Sequence, residues 1–394
     1  MVNFTYNSHT KIVFGKGTQA QTGALLKEQN ATKVLVHYGS ERIRKTGLLA
    51  EVLASLDKEG IAHIELGGVV PNPHLSLVYE GSDLCKKEGV DFILAIGGGS
   101  VIDSAKAIAL GATYDGDIWD FYEALVVPTT SLPVGAVLTI AAAGSEVSVS
   151  SVITDERYGK KRGLKAESTR CRFAVMNPEL TLDLPVYETA CGCVDILMHT
   201  MERYFAKGST MDITDNIAEA LMRTVLVHAQ LLTRNPQNYE SRAEIMWAGS
   251  LSHNDLTGCG AEGDWACHQL GHEISGKYDT PHGASLSAMW GSWARYVYKQ
   301  NPARFARFAI NVLELPEEED VSKMALAGIE EMEGIFWGLD MPASLEDLGL
   351  DLNAVTIAEM TKGCTRDGKR TIGAFRVLGA ADIEKIYELA NERH

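Results

Sequence analysis

Three of the eleven histidines, His268, His272 and His282, fall in one stretch, residues 263–283, GDWACHQLGHEISGKYDTPHG. His268 and His272 stand four apart in a run that can be helical, so their imidazoles project from one face. Asp279-Thr280-Pro281 is a turn signal that lets the chain double back and present His282 to the same place. A second pair with this spacing, Asp195 and His199, lies upstream in the amphipathic run 194–205. A carboxylate and an imidazole facing two or three further imidazoles form a mixed N/O set that suits a divalent first-row metal such as Fe, Zn or Mn. Spacing alone leaves open which of His268 and His272 is the ligand. An ion so held is a Lewis acid for a carbonyl or hydroxyl oxygen.

Lewis-acid activation of an alcohol or carbonyl is completed by hydride transfer, and the hydride comes from a nicotinamide. Residues 91–96, DFILAI, read as a strand; Gly97-Gly98-Gly99-Ser100 and a helix over 101–110 follow. A strand running through glycines into a helix brings backbone N–H groups onto an anion with no Cβ in the way, which is a pyrophosphate site. The strand 133–139 ends at Thr139 and is followed by Ile140-Ala-Ala-Ala-Gly144-Ser145-Glu146, where small residues admit a ligand and the hydroxyls of Thr139 and Ser145 can bond phosphate or ribose. After the strand 33–38, the turn Gly39-Ser40-Glu41-Arg42 with Arg44 and Lys45 offers room and cations for a 2′-phosphate. Glu41 is the one acid there that favours NAD, so NADP is the expected cofactor and NAD the alternative. The GxGxxG fingerprint is absent from the first strand–helix turn, so the fold is related to the Rossmann type without its motif.

The elements that must position these residues change character near Pro185. Up to there, short apolar runs alternate with amphipathic ones (helix 42–56, strand 62–66, helix 75–88), the pattern of a parallel sheet covered by helices. Beyond it, long amphipathic helices take over, at 194–205, 212–232 and 241–251. The expected domains are an α/β dinucleotide-binding domain over 1–185 and an all-α metal-binding domain over 186–394, with the reaction between them. Trp119, Phe121 and Tyr122 read as a loop that could form an apolar substrate wall, and His63, His74, His228 and His253 belong to no constellation.

These pieces resemble the iron-containing (group III) alcohol dehydrogenase family, and within it the butanol dehydrogenase-like branch. The resemblance is carried, in family order over essentially the whole chain, by Gly97-Gly98-Gly99-Ser100 with Asp103 and Lys106, by Gly144-Ser145-Glu146, by Asp195 with His199, and by residues 263–283. It implies a dehydroquinate synthase-like architecture, with Asp195, His199, His268 and His282 as ligands of Fe2+ (Zn2+ as the alternative). It makes His272 the nearby histidine that relays a proton, and it puts Asp103 in the segment that contacts the dinucleotide. It further implies short primary aldehydes such as butanal as substrates and a homodimer. The chain departs from the family pattern at Ala143, where Thr is common, and at Leu182-Asp183, where Tyr-Thr is frequent in this branch.

With 394 residues, 45% of them hydrophobic, the chain has room for two domains, and its net charge of -16 argues against a nucleic-acid surface. The amino terminus is too polar for a secretory signal and no run is long and apolar enough for a membrane span, so a cytoplasmic protein is expected. Seven scattered cysteines fit reduced thiols better than a disulfide framework. Two enzymes compete with the dehydrogenase reading: a glycerol dehydrogenase-like polyol dehydrogenase, and a dehydroquinate synthase-like lyase, which steady NAD(P)H consumption excludes. A non-catalytic metal-binding protein would take up metal and bind no nicotinamide.

Overall fold

The structure is a computed structural model that describes residues 1–39, 41–208 and 210–392. The chain divides into two compact units, Asn7–Leu184 and Pro185–His394, the second joined by Met1–Tyr6.

In the first unit, β1 (Lys11–Phe14) leads to α1 (Thr22–Glu28), β2 (Lys33–Tyr38), α2 (Arg42–Lys45), α3 (Leu48–Lys58), β3 (Ala62–Leu66) and α4 (Leu75–Glu88). Next come β4 (Phe92–Gly97), α5 (Gly99–Gly111), the single turn α6 (Trp119–Tyr122), β5 (Val134–Leu138), the hairpin β6 (Ser150–Asp155) and β7 (Lys160–Lys165), and β8 (Phe173–Met176). Six strands make a parallel sheet in the order β1-β8-β5-β4-β2-β3, with β6 and β7 as a separate antiparallel ribbon. The central strands β4, β5 and β8 are buried along their whole length, as near-continuous apolar runs with both faces covered must be.

Two local readings are corrected. The helix expected over 42–56 is broken at Gly47, whose φ of 82° lies in the left-handed region and ends α2 before α3 begins. Trp119, Phe121 and Tyr122 form α6 rather than a loop; the rings of Phe121 and Tyr122 are buried, with the Tyr122 hydroxyl 2.7 Å from Ser151 Oγ, and Trp119 is half-buried. β1 and the β6–β7 ribbon were not anticipated: four mixed residues in β1, and the basic KKRGLK of β7, carry no apolar alternation.

The second unit is helical: α7 (Val186–Tyr204), α8 (Asp212–Arg234), α9 (Tyr239–His253), α10 (Ala266–Tyr278), α11 (His282–Val297), α12 (Pro302–Asn311), α13 (Val321–Gly338), α14 (Ala354–Thr365) and α15 (Ala380–Ala390). α7 starts eight residues before the expected 194 and is buried almost throughout from Thr189, because neighbours surround it on several sides. Among the described residues no helix is long and apolar enough to cross a membrane. None of the seven cysteines is in a disulfide among the described residues, and five of them are buried.

Candidate metal centre and glycine turn

In the helical unit, three separate stretches of chain converge on one carboxylate oxygen. Asp195 and His199 lie one turn apart on α7, with His199 Nδ1 3.5 Å from Asp195 Oδ1. Asp279, at φ 53°, ends α10 in the left-handed conformation, and Pro281 precedes His282, the first residue of α11. That turn brings His282 Nε2 within 3.8 Å of Asp195 Oδ1, while His268 Nε2 from the first turn of α10 stands 3.9 Å from the same atom. Donor atoms of Asp195, His268 and His282 all lie within 4.8 Å of one another, the arrangement of a cation site. The His199 ring stacks on that of His268 with centroids 4.7 Å apart, so it borders this group.

The surroundings suit a cation. The Nδ1 of His268 hydrogen-bonds Glu202 Oε1 at 2.9 Å, which leaves its buried Nε2 with no hydrogen-bond partner among the described residues; His199 Nδ1, near Asp195, is likewise buried without a hydrogen bond among them. A buried polar nitrogen left unmatched is costly unless something binds it, and a lone pair aimed at a carboxylate suits a cation between them. Burial first, then His253 and His268, holds the His199 imidazole well below its usual range, which keeps it neutral and able to donate a lone pair. His272 is buried nearby, its ring 6.3 Å from that of His268 and 5.3 Å from that of His282.

Two residues of this cluster escaped the sequence reading. His253 belongs to it, with its ring 4.0 Å from that of His199, because α9 packs beside α7; a lone histidine at a helix end carried no signal. Glu202 did carry one: Asp195, His199 and Glu202 follow the i, i+4, i+7 spacing of one helix face. Asp264 and Trp265 set the entry to α10. The Asp264 carboxylate accepts N–H bonds from Ala374 and Phe375, each at 2.7 Å, and from Ala266 at 3.2 Å; burial and the nearby Glu202 raise it above the usual carboxylate range. Trp265, at φ 63°, lays its ring under the Arg203 guanidinium at 4.6 Å and beside His268.

In the α/β unit, Gly97 ends β4, Gly98 precedes the helix in an extended conformation, and α5 starts at Gly99 with Ser100 next. A Cβ on Gly98 would stand 2.9 Å from Ile140 Cβ, and one on Gly99 3.2 Å from that of Ala143, so the glycines let the turn and the loop after β5 approach closely. Thr139 extends that pairing, its N–H donating to Gly97 O at 3.1 Å. Asp103 turns its two oxygens away from the turn: Oδ1 accepts from the Ser145 hydroxyl at 2.5 Å and Oδ2 from the Val152 N–H at 2.9 Å. Lys106, fully buried, donates to the carbonyls of Ser145, Ser148 and Ser150 at 2.7–2.9 Å. Burial raises the Asp103 carboxyl and lowers the Lys106 ammonium, and each offsets part of the other's shift. Together they fix the loop that carries Ser145. At the end of β2, Gly39 is half-buried against Val69 and Val101, and Ser40 lies outside the described residues. Arg42 is engaged by Asp183, with Nε 2.8 Å from Oδ2, and by Leu180 O; Arg44 pairs with Glu65 at 2.7 Å.

A parallel α/β unit with a glycine turn at a strand end, and a helical unit with a buried carboxylate–imidazole cluster, are the two parts that a metal-dependent, nicotinamide-linked oxidoreductase needs. The family model described as iron-containing alcohol dehydrogenase matches residues 9–178, and that of the C-terminal part of the Fe-containing alcohol dehydrogenases matches residues 189–391. The chain is 37% identical over 387 residues to a probable NADH-dependent butanol dehydrogenase 1 of Bacillus subtilis, covering 98% of this chain and 99% of the relative. It is 33% identical to the NADPH-dependent aldehyde reductase YqhD of Escherichia coli, over 99% of this chain and 100% of that one. The crystal structure of NADH-dependent butanol dehydrogenase A from Thermotoga maritima superposes with a TM-score of 0.95 at 36% identity, covering 99% of each chain. The chain belongs to the iron-containing alcohol dehydrogenase family, in its butanol dehydrogenase-like branch.

Proposed function

We propose that this chain is an NAD(P)H-dependent, iron-dependent alcohol dehydrogenase that works as a reductase of short primary aldehydes such as butanal, in the cytoplasm and as a homodimer. The observation that carries the reading is the convergence of His268 and His282 on Asp195 Oδ1 from separate helices. Asp195, His199, His268 and His282 hold the metal, Fe2+ or alternatively Zn2+. A divalent ion supplies Lewis acidity toward the substrate oxygen, and the nicotinamide supplies or accepts the hydride. The backbone of Gly97, Gly98, Gly99 and Ser100 holds the dinucleotide phosphates at the start of α5, with Gly39, Thr139 and Ser145 around it and Asp103 holding Ser145 in place.

The His272 imidazole takes up the hydroxyl proton of an alcohol in the oxidative direction and returns it to the oxygen in the reductive one. His272→Ala is therefore expected to keep its metal and lose roughly 100-fold in kcat; metal analysis beside the turnover assay checks both halves. Loss of metal in this variant, with His268→Ala retaining it, would exchange the two roles.

For the cofactor, a 2′-phosphate must compete with Asp183 for Arg42 and with Glu65 for Arg44, while Lys45 stays exposed. Asp183→Asn is expected to raise the ratio of kcat/KM for NADPH over that for NADH by roughly tenfold, the worth of one charge-assisted hydrogen bond. An unchanged ratio would place Arg42 away from the ribose. The experiment that tests the whole reading is metal analysis of anaerobically purified protein followed by butanal reduction with each nicotinamide; absence of NAD(P)H consumption would sink it.

A further inference from the structure

Glu202 lies one helical turn beyond His199 on α7 and is 3% exposed. Its Oε1 accepts two bonds from one residue, the backbone N–H of His268 at 2.8 Å and the His268 imidazole at Nδ1, 2.9 Å. Oε1 is already the acceptor of the backbone N–H, and as an acceptor toward the ring as well it requires the proton to be on Nδ1. The other nitrogen, Nε2, is then a bare lone pair, and it is the atom that stands 3.9 Å from Asp195 Oδ1 with no hydrogen-bond partner among the described residues. The backbone bond adds a second constraint: it fills one of the unsatisfied N–H groups in the first turn of α10, so the Cα of His268 is held as well as its ring.

We propose that Glu202 is the positioning residue that makes His268 a donor for the metal: it fixes the Nδ1–H tautomer, orients the ring and adds electron density to the imidazole. The proposal rests on the reading of His268 as a ligand. A free histidine side chain prefers its proton on Nε2, so the tautomer required here is the one an unconstrained imidazole adopts less. Carboxylate partners of this kind typically contribute about 10- to 100-fold to metal affinity.

Two measurements test it, neither of them turnover. Nitrogen-15 NMR of histidine-labelled metal-free protein, with His268→Ala to identify the signal, is expected to show His268 protonated at Nδ1; protonation at Nε2 overturns the proposal. Competition of the metal-free protein with a chromogenic chelator for Zn2+ is expected to give Glu202→Gln an affinity 10- to 100-fold below wild type. The amide oxygen of that variant still accepts both N–H bonds, so a merely structural role would leave affinity unchanged. An affinity within about twofold of wild type, while His268→Ala has lost the metal, overturns the role of Glu202. Wild-type affinity in His268→Ala would instead overturn the ligand reading on which the proposal rests.

Discussion

His268→Ala is expected to purify without its metal and to reduce butanal at least about a thousandfold more slowly than wild type. Stabilisation of developing charge by a cation is worth several kcal/mol, and each 1.36 kcal/mol is a factor of ten in rate. Losing this imidazole removes one of the donors gathered around Asp195 Oδ1 and leaves Glu202 buried without its ring partner. The protein is expected to remain folded, because α10 keeps its anchorage through Asp264 and its packing on α11. Metal content and kcat/KM measured on the same preparation check the prediction. Full activity in a metal-free variant would mean that the cluster serves the fold rather than the chemistry.

How far the centre was legible follows from where each signal lies. Asp195 with His199, and His268 with His272, could be paired on helix faces because α-helical spacing is local. Bringing His282 to them needed only the turn chemistry of Asp279-Thr280-Pro281, and the left-handed Asp279 makes that turn. The choice between His268 and His272 was not local: it depends on where α7 lies against α10, which no periodicity encodes. The same limit hid His253, whose place beside His199 is a product of helix packing. In the α/β unit, the apolar run of β4 and the glycines after it announced the turn. What Asp103 and Lys106 do there was out of reach, because their partners lie about forty residues onward, in a loop and a ribbon with no periodic pattern. Asp183 shows the reverse case. In the sequence it is only a departure from the Thr frequent in this branch, whereas in the fold it engages Arg42.

The packing that places His282 leads to the second large effect. Gly283 follows it in the first turn of α11, where that helix meets α7, and a Cβ there would lie 2.2 Å from the Cys191 carbonyl oxygen and 2.8 Å from its carbon. Both are backbone atoms of α7, one turn from Asp195, and no rotamer change relieves the overlap. Gly283→Ala must therefore push the start of α11 away from α7, which costs about 1–3 kcal/mol in an overpacked helix contact and carries His282 away from Asp195. The expected result is a fall of several degrees in the unfolding midpoint of the metal-free protein together with loss of bound metal, although no proposed ligand has been altered. Two other glycines supply the scale. At Gly271 the added Cβ would meet chiefly the Leu286 Cδ2 methyl at 2.9 Å, which can rotate aside, so Gly271→Ala is expected to cost less and to retain metal. At Gly334, in α13, nothing lies within 4 Å, and the same change is expected to stabilise by about 0.4–1 kcal/mol through the unfolded state. If Gly283→Ala melted like Gly334→Ala and kept its metal, the close approach of α11 to α7 would not be what holds His282 at the centre.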